Sequence, residues 1–205
     1  MTPPLSRDRL LAAAMSIVDE EGAEALTMRA LAGRVDRQVS SLYNHVSGRT
    51  ELIELMRAKV VERIDVSAFV SKPWDVALGE WARSYLMAFA QHPHLIRLLA
   101  TTPIRDESTL AMYNVVVRAL TEAGWAAGES IAVLRTVEAH VLGSALDIVA
   151  PGNMLDAAAV PEELPALRAA LAVEHHSAGA AEAAFDLGLT ALIAGLRERN
   201  GAPSA

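Results

Sequence analysis

"RVDRQVSSLYNHVSGRTEL", residues 34–52, places three arginines, a pair of serines, a tyrosine and a histidine in one short polar segment. Alanine and leucine dominate the chain on either side. A buried core has little use for such a segment, so its side chains are expected on the surface. Upstream, Leu10, Leu11, Ala14, Ile17 and Val18 recur at helical spacing and predict a first helix ended by Gly22, which tolerates a left-handed C-terminal conformation. Thr27 is the expected N-cap of a second, short helix running to about Val35. Asp36 and Arg37 interrupt it. A third short helix is predicted from about Gln38 to His45, and Gly48 sits in the turn before a fourth that continues to about Arg63.

Two helices joined by a turn of about 3–4 residues form a helix-turn-helix, whose second member enters the major groove of DNA. Side chains on such a helix must be short, hydrogen-bonding or methyl-bearing, because bulky ones hold it out of the groove. Val39, Ser40, Ser41 and Asn44 meet that demand. Tyr43 and His45 carry a hydroxyl and an imidazole suited to backbone phosphates, and Arg49 opens the fourth helix, where charge and helix N-terminus act together on an anion. Leu31, Ala32, Val35 and Leu42 are expected to pack the pair. Charge agrees. Between Leu26 and Thr50 stand Arg29, Arg34, Arg37 and Arg49 against Asp36 alone, in a chain whose formal net charge is −7.

With 205 residues, 52% of them apolar, the chain is long enough to bury a sizeable core and is not of disordered composition. It has no cysteine, which excludes disulfides, thiolate metal sites and cysteine nucleophiles. The opening "MTPPLSRDRL" has no apolar h-region, and no stretch approaches the ~18 apolar residues of a membrane span. A soluble cytoplasmic protein without membrane contact is expected. Helical spacing continues to the end, and no alternating strand pattern interrupts it. Pro73 opens a long helix striped with Trp74, Leu78, Trp81, Tyr85 and Phe89, which stops near "QHPHL". Further helices are predicted over about 95–100, 109–122, 128–149, 164–176 and 180–199, with "APGNMLDAAAVPEELP" as the longest irregular stretch. The fold class is all-α.

The stretch "LTMRALAGRV…SSLYNHVSGRTEL" resembles the tetracycline-repressor (TetR) family of regulators. Thr27, Arg29, Leu31, Ala32, Leu42, Tyr43, His45, Val46, Arg49 and Leu52 fall on the family pattern without a gap. The resemblance implies that Arg29, Val39, Ser40 and Asn44 face bases, and that Thr27, Ser41, Tyr43, His45 and Arg49 contact phosphate. The turn departs from the pattern, with Asp36 and Arg37 where a glycine and an apolar residue are usual. Aspartate tolerates a positive φ. Arg37 cannot fill an apolar slot and is expected to point outward to DNA, while Gln38, in place of a small hydroxyl cap, caps poorly but keeps a DNA-facing position.

Looser likenesses in "PWDVALGEWARSYLMAFAQHPHL", "ALTEAGWAAGESIAVLRTVEAHVLG" and "FDLGLTALIAGLRER" extend the resemblance from Leu10 to Arg199. It implies a helix-turn-helix domain over residues 1–48, a linking helix over 49–65, and a ligand-binding and dimerisation domain over 66–200. Its ligand would lie among the fifth, seventh and eighth helices. Trp81, Tyr85 and Phe89, then Met112, Tyr113 and Val116, then His140, Ser144 and Asp147 are the candidate lining residues. Leu142, Leu146, Phe185, Leu189, Leu192 and Leu196 are the candidate dimer interface, a four-helix arrangement of two helices per subunit.

His92 and His94 flank a proline, and His175 and His176 are adjacent, so neither pair has the i, i+4 spacing of a helical metal site. No phosphate loop, dinucleotide fingerprint or nucleophile elbow is present. No catalytic residue, metal or cofactor is expected. The sequence therefore reads as a ligand-responsive transcriptional regulator, a repressor acting as a homodimer on a palindromic double-stranded operator and released by a small, largely apolar effector. The alternative is a helical small-molecule-binding protein or enzyme whose opening helices merely pack.

Overall fold

A computed structural model describes residues 4–150, 157–174 and 179–201. His175 and His176, and residues 151–156 of the irregular stretch, lie outside the described residues. The described residues form ten α-helices and no strand. They are α1 Arg7–Glu21, α2 Met28–Arg34, α3 Val39–Leu42, α4 Arg49–Val61, α5 Trp74–Ala90, α6 Pro93–Ala100, α7 Glu107–Glu122, α8 Ala127–Ile148, α9 Pro165–Glu174 and α10 Ala180–Gly201.

Local chemistry sets the boundaries. Ser6 caps α1, its Oγ accepting from the Arg9 amide at 3.2 Å, and Gly22 ends it at φ 88°. Thr27 caps α2 by accepting from the Ala30 amide at 3.1 Å. The helix closes in a Schellman motif: the Arg37 amide donates to Ala32 O at 3.0 Å and the Asp36 amide to Gly33 O at 3.2 Å. Asp36 takes the left-handed position usually given to glycine, at φ 53°.

The third helix is shorter than expected. Its regular part is Val39–Leu42, and residues 43–45 continue as turns. Gln38 makes no capping bond, and the Ser41 hydroxyl donates back to Gln38 O at 2.7 Å, the local competition that makes serine a weak helix former. At the other ends the helices outrun the expectation. Pro93 occupies the first turn of α6, and Asp106 caps α7 by accepting from the Thr109 amide at 2.8 Å.

Packing joins these pieces into one buried cluster running from Leu10 through Leu52, Trp81 and Val137 to Leu189. α8 is the axis of the C-terminal part, packed against α5, α7 and α10, while α1 packs on α2, α4 and α6. α4 belongs to both parts, since it also meets α5, α6 and α7. His92 and His94 are structural: His92 Nδ1 lies 2.9 Å from Asp19 Oδ2 and His94 Nδ1 lies 3.1 Å from Val18 O, tying the start of α6 to the end of α1.

Candidate functional sites

The polar segment lies on the surface. Leu42 is its buried anchor, at 0% exposure. Around that anchor Gln38, Ser40, Tyr43 and Asn44 are exposed, and Val39, Ser41 and His45 are half-buried. Tyr43 is 53% exposed, so its ring serves no core.

The arginines divide sharply. Arg34 is tied to α1, with Nη1 donating to Glu20 at 3.0 Å and to Ser16 at 2.7 Å, and Nη2 to Glu21 at 2.6 Å. Arg49 turns back on the chain, its Nε donating to Leu26 O at 3.0 Å and Nη2 to Ala23 O at 3.5 Å. Arg37 Nη1 donates to Asp36 O at 2.7 Å. Arg29 is exposed and has no partner among the described residues. The positive island expected from residue counts is thus narrower in space: Arg34 is largely neutralised, while Arg29 stays exposed on α2, the helix packed against α3. Thr27 is exposed and uses its oxygen lone pair as the α2 cap, which leaves its O–H to donate.

A cavity of about 370 Å³ opens among α4, α5, α6, α7 and α8. Tyr85, Phe89 and Tyr113 line it as expected, but Trp81, Met112, Val116, His140, Ser144 and Asp147 do not. Trp81 is wholly buried behind the wall, edge-on to Tyr85 at 5.3 Å, and its Nε1 has no acceptor among the described residues. Met112 and Val116 are core residues. His140 stacks on Phe185 at 5.2 Å, with Nε2 3.0 Å from Phe185 O, in the α8–α10 contact. Helical periodicity gave one face per helix, but α8 meets a neighbour on three sides, and Glu138 rather than His140 faces the cavity.

Glu138 is the polar centre that the sequence reading passed over. Its Oε1 accepts from the Tyr85 hydroxyl at 2.6 Å and also from the Tyr113 hydroxyl. Burial first, then the Glu138 charge, pushes both phenols far above the ordinary tyrosine range, so both stay protonated donors.

Arg57 and Glu54 were missed as well. Arg57 on α4 is only 5% exposed. Its Nη2 donates to Leu99 O at 3.1 Å and Thr102 O at 2.9 Å, at the C-terminal end of α6, where a cation is favoured. Glu54, one turn earlier, receives the Arg105 and Asp106 amides on Oε2, both at 2.7 Å, just before α7. The pair closes on itself, Arg57 Nε to Glu54 Oε1 at 3.3 Å. Leu99, Thr102 and Arg57 all line the cavity, so α4 is clamped to its wall. The available signal was a Glu and an Arg three residues apart within the mostly apolar "LIELMRAKVV".

The candidate interface residues also divide. Phe185 and Leu189 are buried within the subunit at 3% and 0%, and Leu142 lines the cavity. Leu192 and Leu196 are half-buried and Leu146 is exposed. An exposed face of small and apolar residues remains on the two helices, with Ala139, Gly143 and Leu146 on α8 and Leu187, Ala191 and Gly195 on α10. Among the described residues no helix is long and apolar enough to cross a membrane.

Residues 71–200 match the family described as tetracyclin repressor-like, C-terminal domain. Over 144 residues the chain is 31% identical to the HTH-type transcriptional repressor DrrR1 of Streptomyces coeruleorubidus; the match takes in 70% of this chain and 53% of that protein, so the chain spans about half the length of that curated relative. A solved structure of a possible TetR family transcriptional regulator from Streptomyces coelicolor A3(2) is similar with a TM-score of 0.78 at 29% identity, over 94% of this chain and 99% of that one. ActR of Streptomyces coelicolor, solved in complex with actinorhodin, is similar with a TM-score of 0.78 at 25% identity, over 97% and 98% of the two chains.

Proposed function

This chain belongs to the tetracycline-repressor family, and from that membership we propose that it is a ligand-responsive transcriptional regulator, a cytoplasmic homodimeric repressor of a palindromic operator. The observation that carries the reading is the position of α4. At its N-terminal end Arg49 holds the Ala23–Leu26 segment before α2 and Glu51 pairs with Arg7 of α1, the helix on which α2 packs, and its middle is clamped by Glu54 and Arg57 to the wall of an internal cavity. A site that reads DNA and a site that takes a small molecule thereby share one rigid element. The named relatives support the two halves: DrrR1 is named a repressor, and ActR is described with a bound small molecule.

Arg29, Val39, Ser40 and Asn44 meet bases, while Thr27, Ser41, Tyr43 and His45 meet phosphate, with Arg37 and Gln38 beside them. Arg49 acts differently from the sequence expectation. It holds the Ala23–Leu26 segment under α2 and so positions the reading helix. One head reads too few base pairs for discrimination, and a two-fold dimer places a second about one or more helical turns away, ~34–36 Å in the simplest case. The exposed small-residue face of α8 and α10 forms the subunit contact. An effector that binds the cavity better in one dimer arrangement shifts the population toward it, and the segment from Leu52 to Ile64, most of it in α4, carries the heads off register.

Fluorescence anisotropy of a labelled operator duplex tests this. Arg29→Ala weakens operator binding by about 1–3 kcal/mol while helicity and effector binding persist. Unchanged operator affinity in that variant contradicts the reading, and so does an effector that fills the cavity without weakening the complex.

A further inference from the structure

The chemistry of the cavity narrows what it accepts. Phe89, Tyr85 and Tyr113 present aromatic rings, with Tyr85 and Phe89 tilted against each other at 4.9 Å. Between them stands Glu138. Both phenol hydrogens are spent on its Oε1. Its Oε2 has no partner among the described residues, and it is not one of the sealed, partnerless atoms, so it opens into the cavity that Glu138 lines. The two cations nearby do not satisfy it. Arg57 is committed to Glu54 and to the carbonyls of Leu99 and Thr102. Arg135 lies one helical turn before Glu138 at the exposed edge and makes no ion pair with it. The protein has therefore fixed an acceptor, with two oriented donors behind it, inside a ring-lined apolar space. An acceptor held this way favours a donor and repels an anion, and a charge-assisted bond in a poorly solvated site is worth more than one in water.

On the reading of this cavity as the effector site, we propose that the effector is an aromatic molecule presenting a hydrogen-bond donor, a phenol O–H or an ammonium N–H, to Oε2 of Glu138. The rings of Tyr85, Phe89 and Tyr113 hold its flat face, and the Glu138 carboxylate selects the donor. This goes beyond a largely apolar ligand by naming the polar group it must carry and the group it must lack.

Isothermal titration calorimetry without DNA tests the selection, using 2-naphthol, 2-(aminomethyl)naphthalene, 2-methoxynaphthalene and 2-naphthoate as probes. The two donors bind about tenfold more tightly than the ether, as expected for a hydrogen bond to a charged group, and the naphthoate binds most weakly. In Glu138→Gln the amide can turn its own N–H toward the ligand, and the donor preference falls to within about threefold. Tyr113→Phe leaves Glu138 in place and keeps the preference. Equal binding of ether and naphthol, tightest binding of the naphthoate, no binding of any probe, or a preference that survives Glu138→Gln overturns the proposal. If Glu138→Gln does not fold, the probe series on the unaltered protein decides alone. Operator binding is measured separately. Donor selection without DNA binding leaves this inference standing and removes the regulatory reading. Release from operator by a donor-free acid removes this inference and leaves the regulatory one.

Discussion

Arg29 and Tyr43 are both exposed near α3, and they make different predictions. Arg29 has no competing partner among the described residues, and as the proposed base contact its loss in Arg29→Ala costs about 1–3 kcal/mol of operator binding and relaxes the preference at one position of each half-site. Tyr43→Phe removes the proposed neutral phosphate contact. It weakens all duplexes alike, by about 1 kcal/mol, and leaves the salt slope unchanged, because no cation and hence no counterion release is lost. Competition binding against single-position operator variants at two salt concentrations separates the cases. Gly188 gives a third residue-scale test: a Cβ there would lie 2.4 Å from His140 Cε1. Gly188→Ala therefore displaces a ring held by Phe185 and lowers stability by about 1–3 kcal/mol, read from denaturant unfolding. The exposed polar segment was legible because it is local: a short polar helix flanked by Leu31 and Leu42 is visible in one dimension. Glu138 and Arg57 were not. Their meaning depends on Tyr113, Leu99 and Thr102, tens of residues away, and on which side of α8 faces inward.

At the scale of the elements, the helices and their order were legible, since caps such as Thr27 and breakers such as Gly22 and Gly48 act on neighbours. Where an end moved, a cap or its lack explains it: Asp106 extends α7 backward, and uncapped Gln38 leaves α3 short. Burial pushes the Asp106 carboxyl up, but hydrogen bonds from Ser108 and from the amide and hydroxyl of Thr109 outweigh it and hold the carboxyl below its usual range. The sign follows. With the folded pKa depressed, the cap's contribution is fully present above the unfolded value of about 3.9 and is lost as pH falls through the lower folded value. Hydrogen exchange at the start of α7 therefore accelerates in that acid window, and Asp106→Asn, which cannot titrate, removes the pH dependence. The clamp is the stronger test. Effectors commonly change affinity by about 5–150-fold. In Glu54→Gln/Arg57→Met the cavity still fills, but α4 no longer follows its wall, and the effector changes operator affinity by no more than about twofold. Both affinities are measured by anisotropy with and without effector.

Taken whole, the molecule carries a net charge of −7 and yet is assigned to DNA. The contradiction resolves in distribution, since the acidic residues Glu20 and Glu21 neutralise Arg34 while Arg29 and the α3 face remain uncovered. Two such faces must be presented together. The exposed small-residue surface of α8 and α10 is the proposed place for a second copy, whereas Phe185 and Leu189, which sequence spacing assigned to the interface, complete the subunit's own core. A helix that packs on two sides has two apolar stripes, and spacing alone does not say which one meets a partner. Leu187 is 74% exposed, so Leu187→Glu leaves the subunit folded, converts the dimer to monomer in light scattering, and reduces operator affinity at least tenfold by removing the second head.

The measurement that bears most directly on the whole account is selection of bound duplexes from a random DNA pool by the unaltered protein. A two-fold regulator enriches an inverted repeat whose half-sites share one sequence at a fixed spacing, and Arg29→Ala relaxes the enriched base at one position of each half-site. Recovery of no common sequence, or of a single site without two-fold symmetry, contradicts it.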